Sequence, residues 1–445
     1  MNRKKILHFT ILWIIYGSLI PRFVWNSQLV ALVPDILLCV LLVFHAPQRG
    51  WPNIKYSIGA WIGPVFGIIL LLGIVSSIIS FTPLMATIWG ARQFARYGLI
   101  AYMIIMFFKQ ADVDWFKKVL DKSIQWNMLF VVVEFALGQT GDSMGGTFGG
   151  NGDFSIYLAV ITFVSTADYF QKRITLKRFV FIFTFCFIAG ILAEIKLLYM
   201  LLPMCLYGGY ILFKRFDIKQ IVILAAAYFL LIPVVKFTLS FYYNEDYVNA
   251  TFDSEKVSAY LENDYGLQSG KSGILSFNRN TCIERSTYLL SSDMKTVLVG
   301  NGIGSLTQSQ VFKTPLAEKY SPTYYFYFTF SYVLLELGWM GFVFFLLLYV
   351  LIIIRFYSFY HNAKDGVVKY CSALGLFMGG VSFVFMWYNA TVYSNYYFPF
   401  VVFAVCFVGI KLRRQKLVNN SVIFYESLKS ATIIQYTIKG RFMSR

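Results

Sequence analysis

Twelve stretches of apolar residues divide the chain, at about 6–21, 29–45, 57–81, 97–109, 123–138, 154–169, 178–194, 197–213, 220–239, 323–354, 371–389 and 396–412. A helix needs about 17–25 apolar residues to cross a hydrocarbon layer of ~30 Å. Most of these stretches reach that length once their ends extend. Hydrophobic residues make up 58% and charged residues 14%, against about 25% charged in ordinary soluble domains. A chain this apolar has too little polar surface to cover itself in water. That excludes a cytosolic enzyme, a disordered regulator and a secreted disulfide scaffold. The expected fold is an all-α polytopic membrane protein with about 12 transmembrane helices.

The net charge is +17. In a soluble protein it would suggest nucleic acid. Here it follows from the concentration of Lys and Arg in cytoplasmic loops, and no nucleic-acid partner is expected. With the N-terminus in the cytoplasm and the spans alternating, 27 of the 39 basic residues fall on the inner side. Both termini are then cytoplasmic. Residues 1–239 hold the first nine spans, and 240–322 form one large external loop expected to carry short helices. Residues 323–414 hold the last three spans, and 415–445 form a basic tail. The first stretch resembles a signal peptide but ends in Pro21-Arg22 without a small-residue cleavage site, so it reads as a retained span.

Six Cys occur without a CxxC pair, and the three His are scattered near cytoplasmic boundaries. Neither a disulfide framework nor a zinc site is supported. No P-loop, HExxH or GxSxG motif is present. No metal and no cofactor is expected.

The informative residues break the rules of a membrane helix. Arg92 and Arg96 sit one helical turn apart at the external start of the fourth span. Like charges at that spacing repel, and cations oppose the dipole at a helix N-terminus. A nearby anion would relieve both. Lys196 repeats the pattern beside Glu194 at the start of the eighth span. Arg279 and Arg285 flank Cys282 and Glu284 in the long loop. Downstream, Gly300-Asn301-Gly302-Ile303-Gly304 does not sit in a βαβ unit, so it is no dinucleotide fingerprint. Its backbone amides could still face an anion. Glu336 lies within an apolar span, where a carboxylate is a functional candidate by default. Asp35 and Glu134 also lie in spans, near ends from which they could reach water. The run Gly145-Gly146-Thr147-Phe148-Gly149-Gly150-Asn151-Gly152 opens the sixth span and permits close packing or a re-entrant turn.

In order along the chain, these features resemble the O-antigen polymerase and O-antigen ligase superfamily. The resemblance rests on Arg285, the Gly300-x-Gly302-x-Gly304 run, the Leu-Leu-Glu336-Leu-Gly338-x-x-Gly341 span, the Gly-Gly-Thr-Phe-Gly-Gly-Asn run and Lys196. It covers essentially the whole chain. It implies a metal-independent, inverting glycosyltransferase working at the outer face of the cytoplasmic membrane. The donor would be an oligosaccharide on undecaprenyl pyrophosphate, and the acceptor a lipid-linked repeat unit or lipid A–core. Family members hold the pyrophosphate with Arg, which points to Arg92, Arg96, Lys196, Arg279 and Arg285 here, with Gly300, Gly302 and Gly304 beside them. Many ligases carry a His-Asn pair about nine residues before the Glu. Here that place falls near Tyr327-Phe328, which favours a polymerase of O-antigen, capsule or exopolysaccharide and leaves Tyr327 as a glycan contact. Glu336 and Glu284 are the candidate bases, with Asp293 and Glu194 behind them. Membrane lipid, a chain-length regulator and a flippase of the same pathway are the implied partners. The competing classes are a ligase-type transferase and a lipid-linked oligosaccharide flippase or other transporter. The long external loop and the lack of two similar halves speak against a transporter.

Overall fold

The computed structural model describes residues 3–24, 28–45, 58–139, 141–213, 277–309 and 312–415, with isolated positions between 218 and 249. Among them the regular structure is all helical, apart from one isolated bridge between Gln308 and Lys313. In chain order the helices are α1 (Arg3–Tyr16), α2 (Leu19–Phe23), α3 (Val33–His45), α4 (Ile62–Ile79), α5 (Leu84–Phe107) and α6 (Gln110–Ala136). They continue with α7 (Asn151–Phe170), α8 (Leu176–Leu192), α9 (Lys196–Phe213), α10 (Cys282–Leu290), α11 (Met294–Val299) and α12 (Pro315–Tyr320). Last come α13 (Thr329–His361), α14 (Gly366–Tyr388), α15 (Thr391–Ser394) and α16 (397–415).

Four of these, α4, α9, α13 and α14, are long and apolar enough to cross a membrane by length and composition. The chain is an all-α membrane protein, but four such helices stand where the sequence suggests twelve spans. The stretch at 220–239 is described only at isolated positions. Elsewhere the difference comes from length and charge. Helices α1 and α3 have 14 and 13 residues. Helix α5 carries Arg92 and Arg96, and α6 carries Asp112, Lys117, Lys118, Asp121 and Lys122 in its first half. Helix α7 buries Ser155, Thr162, Ser165, Thr166 and Asp168. Helix α7 keeps these groups inside the bundle, whereas Lys117, Lys118 and Lys122 of α6 are exposed.

Local chemistry sets the helix ends. The Lys109 amide donates to Asp112 Oδ2 at 2.7 Å, so Asp112, three residues on, satisfies a free amide at the start of α6. Asp112 also takes Lys4 Nζ at 2.8 Å and His8 Nε2 at 3.1 Å, which ties α1 to α6. Asp365 caps α14 by accepting the Val367 and Val368 amides at 2.8 and 3.2 Å.

Helix α13 has 33 residues, about 50 Å at 1.5 Å per residue. It is not continuous: Gly338, at φ 64° and ψ −171°, breaks it after Leu337. The break frees the Leu335 and Glu336 carbonyls for other partners. Helices α4 and α14 pack on α13. Gly73 in α4 leaves room for Ile303 and Leu337, each 2.9 Å from where a Cβ would stand.

Residues 277–328 form a small body on the first part of α13. Phe277, Cys282, Leu290, Leu306, Tyr320, Tyr325, Phe328 and Leu335 make a second apolar core there, separate from that of the bundle. The short helices expected in the long loop are α10, α11 and α12. The loop tyrosines 242, 243, 247, 260 and 265 and the tail from 416 lie outside the described residues.

Candidate active site

The segment from Tyr388 to Tyr397, between α14 and α16, organises the polar interior. Asn389 is extended and its carbonyl accepts from Thr329 N at 3.2 Å and Thr329 Oγ1 at 2.7 Å. Its side chain accepts the Thr391 amide at 3.0 Å, which starts the single turn of α15. From this turn Tyr393 donates its hydroxyl to the Glu336 carboxylate. The Ser394 carbonyl accepts from Arg96. Asn395 Nδ2 donates to Asp153 Oδ2, and Tyr397 donates its hydroxyl to Asp35.

Arg92 and Arg96 share one face of α5, and the anion that their spacing calls for is Asp35. Arg92 Nη1 lies 2.6 Å from Asp35 Oδ2, and Arg96 Nη1 lies 3.9 Å from the same oxygen. The Arg92 guanidinium stacks 4.0 Å from the Trp89 ring centroid. Arg96 lies between Tyr397 at 4.8 Å and Tyr97 at 5.0 Å, and its Nη2 donates to Tyr97 Oη at 3.0 Å. Stacking of this kind contributes about 0.5–2 kcal/mol, more when desolvated. Two cations against one carboxylate leave this cluster one positive charge in excess.

Arg96 borders a cavity of about 420 Å³, a size typical of small-molecule sites at ~300–1,000 Å³. Trp13, Ile14, Pro21, Val30 and Pro34 form its apolar wall. Phe148, Phe398 and Pro399 line it as well, and Asp153, Asn395 and Tyr397 supply polar groups besides Arg96.

The glycine run before α7 shapes this cavity. Gly146 and Gly149 adopt φ 53° and 83°. The buried Glu134 carboxylate accepts the Gly145 and Gly146 amides at 3.2 and 3.0 Å and pairs with Arg22. Arg22 also donates to Gln139 Oε1 at 3.1 Å and to the Ser143 carbonyl. Asn127 Oδ1 accepts the Thr147 amide at 2.9 Å. The folded turn aims Phe148 at the cavity and starts α7 so that Asp153 faces it.

The second glycine run has another role. Gly300, Gly302 and Gly304 adopt φ 76°, 97° and 81°. The Asn301 amide donates to the Leu335 carbonyl at 3.0 Å and the Gly302 amide to the Glu336 carbonyl at 2.9 Å, the two carbonyls released by the break at Gly338. The Ile303 amide donates to the Gly73 carbonyl at 3.2 Å. The Glu336 side chain is 2% exposed, and its Oε1 accepts the Leu306 amide at 3.1 Å. The loop is thus locked between α4, α5 and α13, and these amides bond to protein. Glu336 connects to the arginines through tyrosines: Tyr393 bonds to Glu336, Tyr97 Oη donates to the Tyr393 carbonyl at 2.9 Å, and Arg96 bonds to Tyr97.

The structure therefore brings Arg92, Arg96, Glu336 and the three glycines into one network, with only Arg96 on the cavity. Arg279 joins the same segment from the other side: its Nε donates to the Tyr388 carbonyl at 3.2 Å and its guanidinium stacks 4.6 Å from the Tyr388 ring. Lys196 opens α9, half-buried, behind a turn in which Glu194 takes φ 49°. Arg285 is half-buried on α10, and Glu284 faces outward there. Tyr327 is 45% exposed and stacks parallel to Tyr324 at 6.0 Å. These last four residues do not line the cavity.

Sequence reasoning passed over Asp153, Asn395 and Tyr397 and noted Asp35 only as an acid near a span end. Asp153 follows the glycine run in the first turn of a helix, where an acid is ordinary, so nothing local marks it. Its cavity position depends on Asn395, far along the chain.

No known protein family and no curated protein matches this chain.

Proposed function

We propose that this protein polymerises lipid-linked oligosaccharide repeat units of a bacterial surface polysaccharide, by metal-independent glycosyl transfer from undecaprenyl pyrophosphate. The observation that carries the reading is Arg96, held by two tyrosines at the edge of a cavity of about 420 Å³ whose main wall is apolar. A diphosphate on a polyprenyl chain asks for that combination: a planar cation for phosphate oxygens and an apolar wall for the first isoprene units. Negative charge grows on the diphosphate as the glycosidic bond breaks, and a preplaced guanidinium stabilises it without reorganising. Arg92 pairs with Asp35, the carboxylate that also lies 3.9 Å from Arg96. In this reading the chain lies in the cytoplasmic membrane, with both termini inside and the 240–322 loop outside. A chain-length regulator and a flippase would act alongside it.

The test is a gel of surface polysaccharide from a deletion strain complemented with wild type, Arg96→Ala or Arg285→Ala at equal protein level. Collapse of the ladder to a single repeat unit on the acceptor with Arg96→Ala supports polymerase. Polymer accumulating on the lipid carrier indicates a ligase. An unchanged ladder in the deletion strain rejects both.

A further inference from the structure

Resting on that reading, we infer that Asp153 is the general base, the carboxylate that takes the proton from the attacking sugar hydroxyl. The geometry is specific. Asp153 stands in the first turn of α7 and lines the cavity with Arg96. Its Oδ2 is held by Asn395 Nδ2, and its Oδ1 has no hydrogen-bond partner among the described residues. No ion pair joins Asp153 to Arg96, whose guanidinium is held by Asp35, Tyr97 and Ser394. A cation and a carboxylate thus face one space without neutralising each other at contact distance. A displacement at an anomeric carbon needs this arrangement: a cation on the departing side and a proton acceptor with one fixed and one open oxygen.

The step balances as follows. The acceptor hydroxyl oxygen bonds to the anomeric carbon of the donor glycan, and its proton passes to Asp153 Oδ1. The bond from that carbon to the phosphate oxygen breaks, and its electron pair leaves with undecaprenyl pyrophosphate, held by Arg96. The configuration at the anomeric carbon inverts. Glu336 is assigned no part in the transfer, because it does not line this cavity and its two oxygens are held by the Leu306 amide and the Tyr393 hydroxyl.

The experiment uses purified full-length protein in detergent with the native lipid-linked repeat unit extracted from the deletion strain, and measures polymer formation. Asp153→Asn keeps the shape and the Asn395 contact but removes the base. General bases contribute about 10²–10⁴-fold, so kcat should fall by at least ~100-fold while KM stays near wild type. Asp153→Glu should recover part of that loss, which a purely structural role would not allow. Wild-type kcat in Asp153→Asn, or a raised KM at unchanged kcat, overturns the assignment. Should Asp153→Asn fail to fold, Asn395→Ala decides: lowered kcat at unchanged KM supports the base, and unchanged kcat overturns it. Wild-type protein that makes no polymer overturns the polymerase reading and this role with it. Wild-type polymer matched by Asp153→Asn overturns only the role of Asp153.

Discussion

Asp35 and Arg92, from helices α3 and α5, meet at 2.6 Å, and the same carboxylate oxygen lies 3.9 Å from Arg96. One acid therefore supports two cations that would otherwise repel each other across a helical turn. Asp35 offsets that repulsion while leaving the Arg96 guanidinium only partly neutralised, and Tyr97 and the Ser394 carbonyl orient it beside the cavity.

Removing Asp35 should destabilise the protein and disturb Arg96 together. Breaking a fully buried pair costs about 3–5 kcal/mol. A quarter of the Arg92 side chain is exposed, at 25%, so the loss from Asp35→Asn should fall below that range. Thermal unfolding in detergent measures it. The double variant Asp35→Asn with Arg92→Gln should recover part of the loss, because it also removes the stranded cation.

Glu336 should behave as a structural anchor. Glu336→Ala strands the Leu306 amide and the Tyr393 hydroxyl, at about 1–3 kcal/mol for each buried unpaired group. Glu336→Gln keeps an acceptor for the amide and should cost less, with polymer formation retained. Loss of polymer in a stably folded Glu336→Gln would show instead that the carboxylate takes part in the chemistry.

Gly304 should tolerate no side chain. Its φ is 81°, and an added Cβ would overlap the Ala86 carbonyl. A non-glycine residue in sparsely populated backbone space costs about 1–3 kcal/mol, to which the overlap adds. Gly304→Ala should lower the yield of folded protein or its Tm. Gly67→Ala, where a Cβ meets nothing within 4 Å, is the neutral comparison. Equal Tm for the two variants would contradict this packing.

Cys282 should be a poorly reactive thiol. It is 1% exposed, its Sγ donates to the Arg279 carbonyl at 3.3 Å, and burial pushes its pKa up to about 11. Little thiolate forms at neutral pH, so maleimide labelling followed by peptide mapping should be slow in folded protein and fast in SDS. The folded state favours the neutral thiol. Its contribution to stability is therefore complete below the unfolded pKa of about 9 and is lost as pH rises toward about 11. Cys282→Ser should flatten that alkaline decline.

The sequence by itself determined the membrane class, the all-helical content and the need for an anion beside Arg92 and Arg96. These follow from local rules: apolar run length and like charges at one-turn spacing. The number of helices apolar enough to cross a membrane was not legible, because α1 and α3 are short, α6 carries a run of charges, and α5 and α7 carry polar groups that packing against other helices makes tolerable. Tertiary structure alone decided the partners. It chose Asp35 as the anion, and it locked the Gly300–Gly304 run against carbonyls freed by Gly338, so that those amides serve the fold. It also carried Asn395 to Asp153 across 242 residues of chain. A carboxylate in the first turn of a helix looks the same in sequence whether it faces water or a cavity. The difference lies in which distant side chains the fold sets around it.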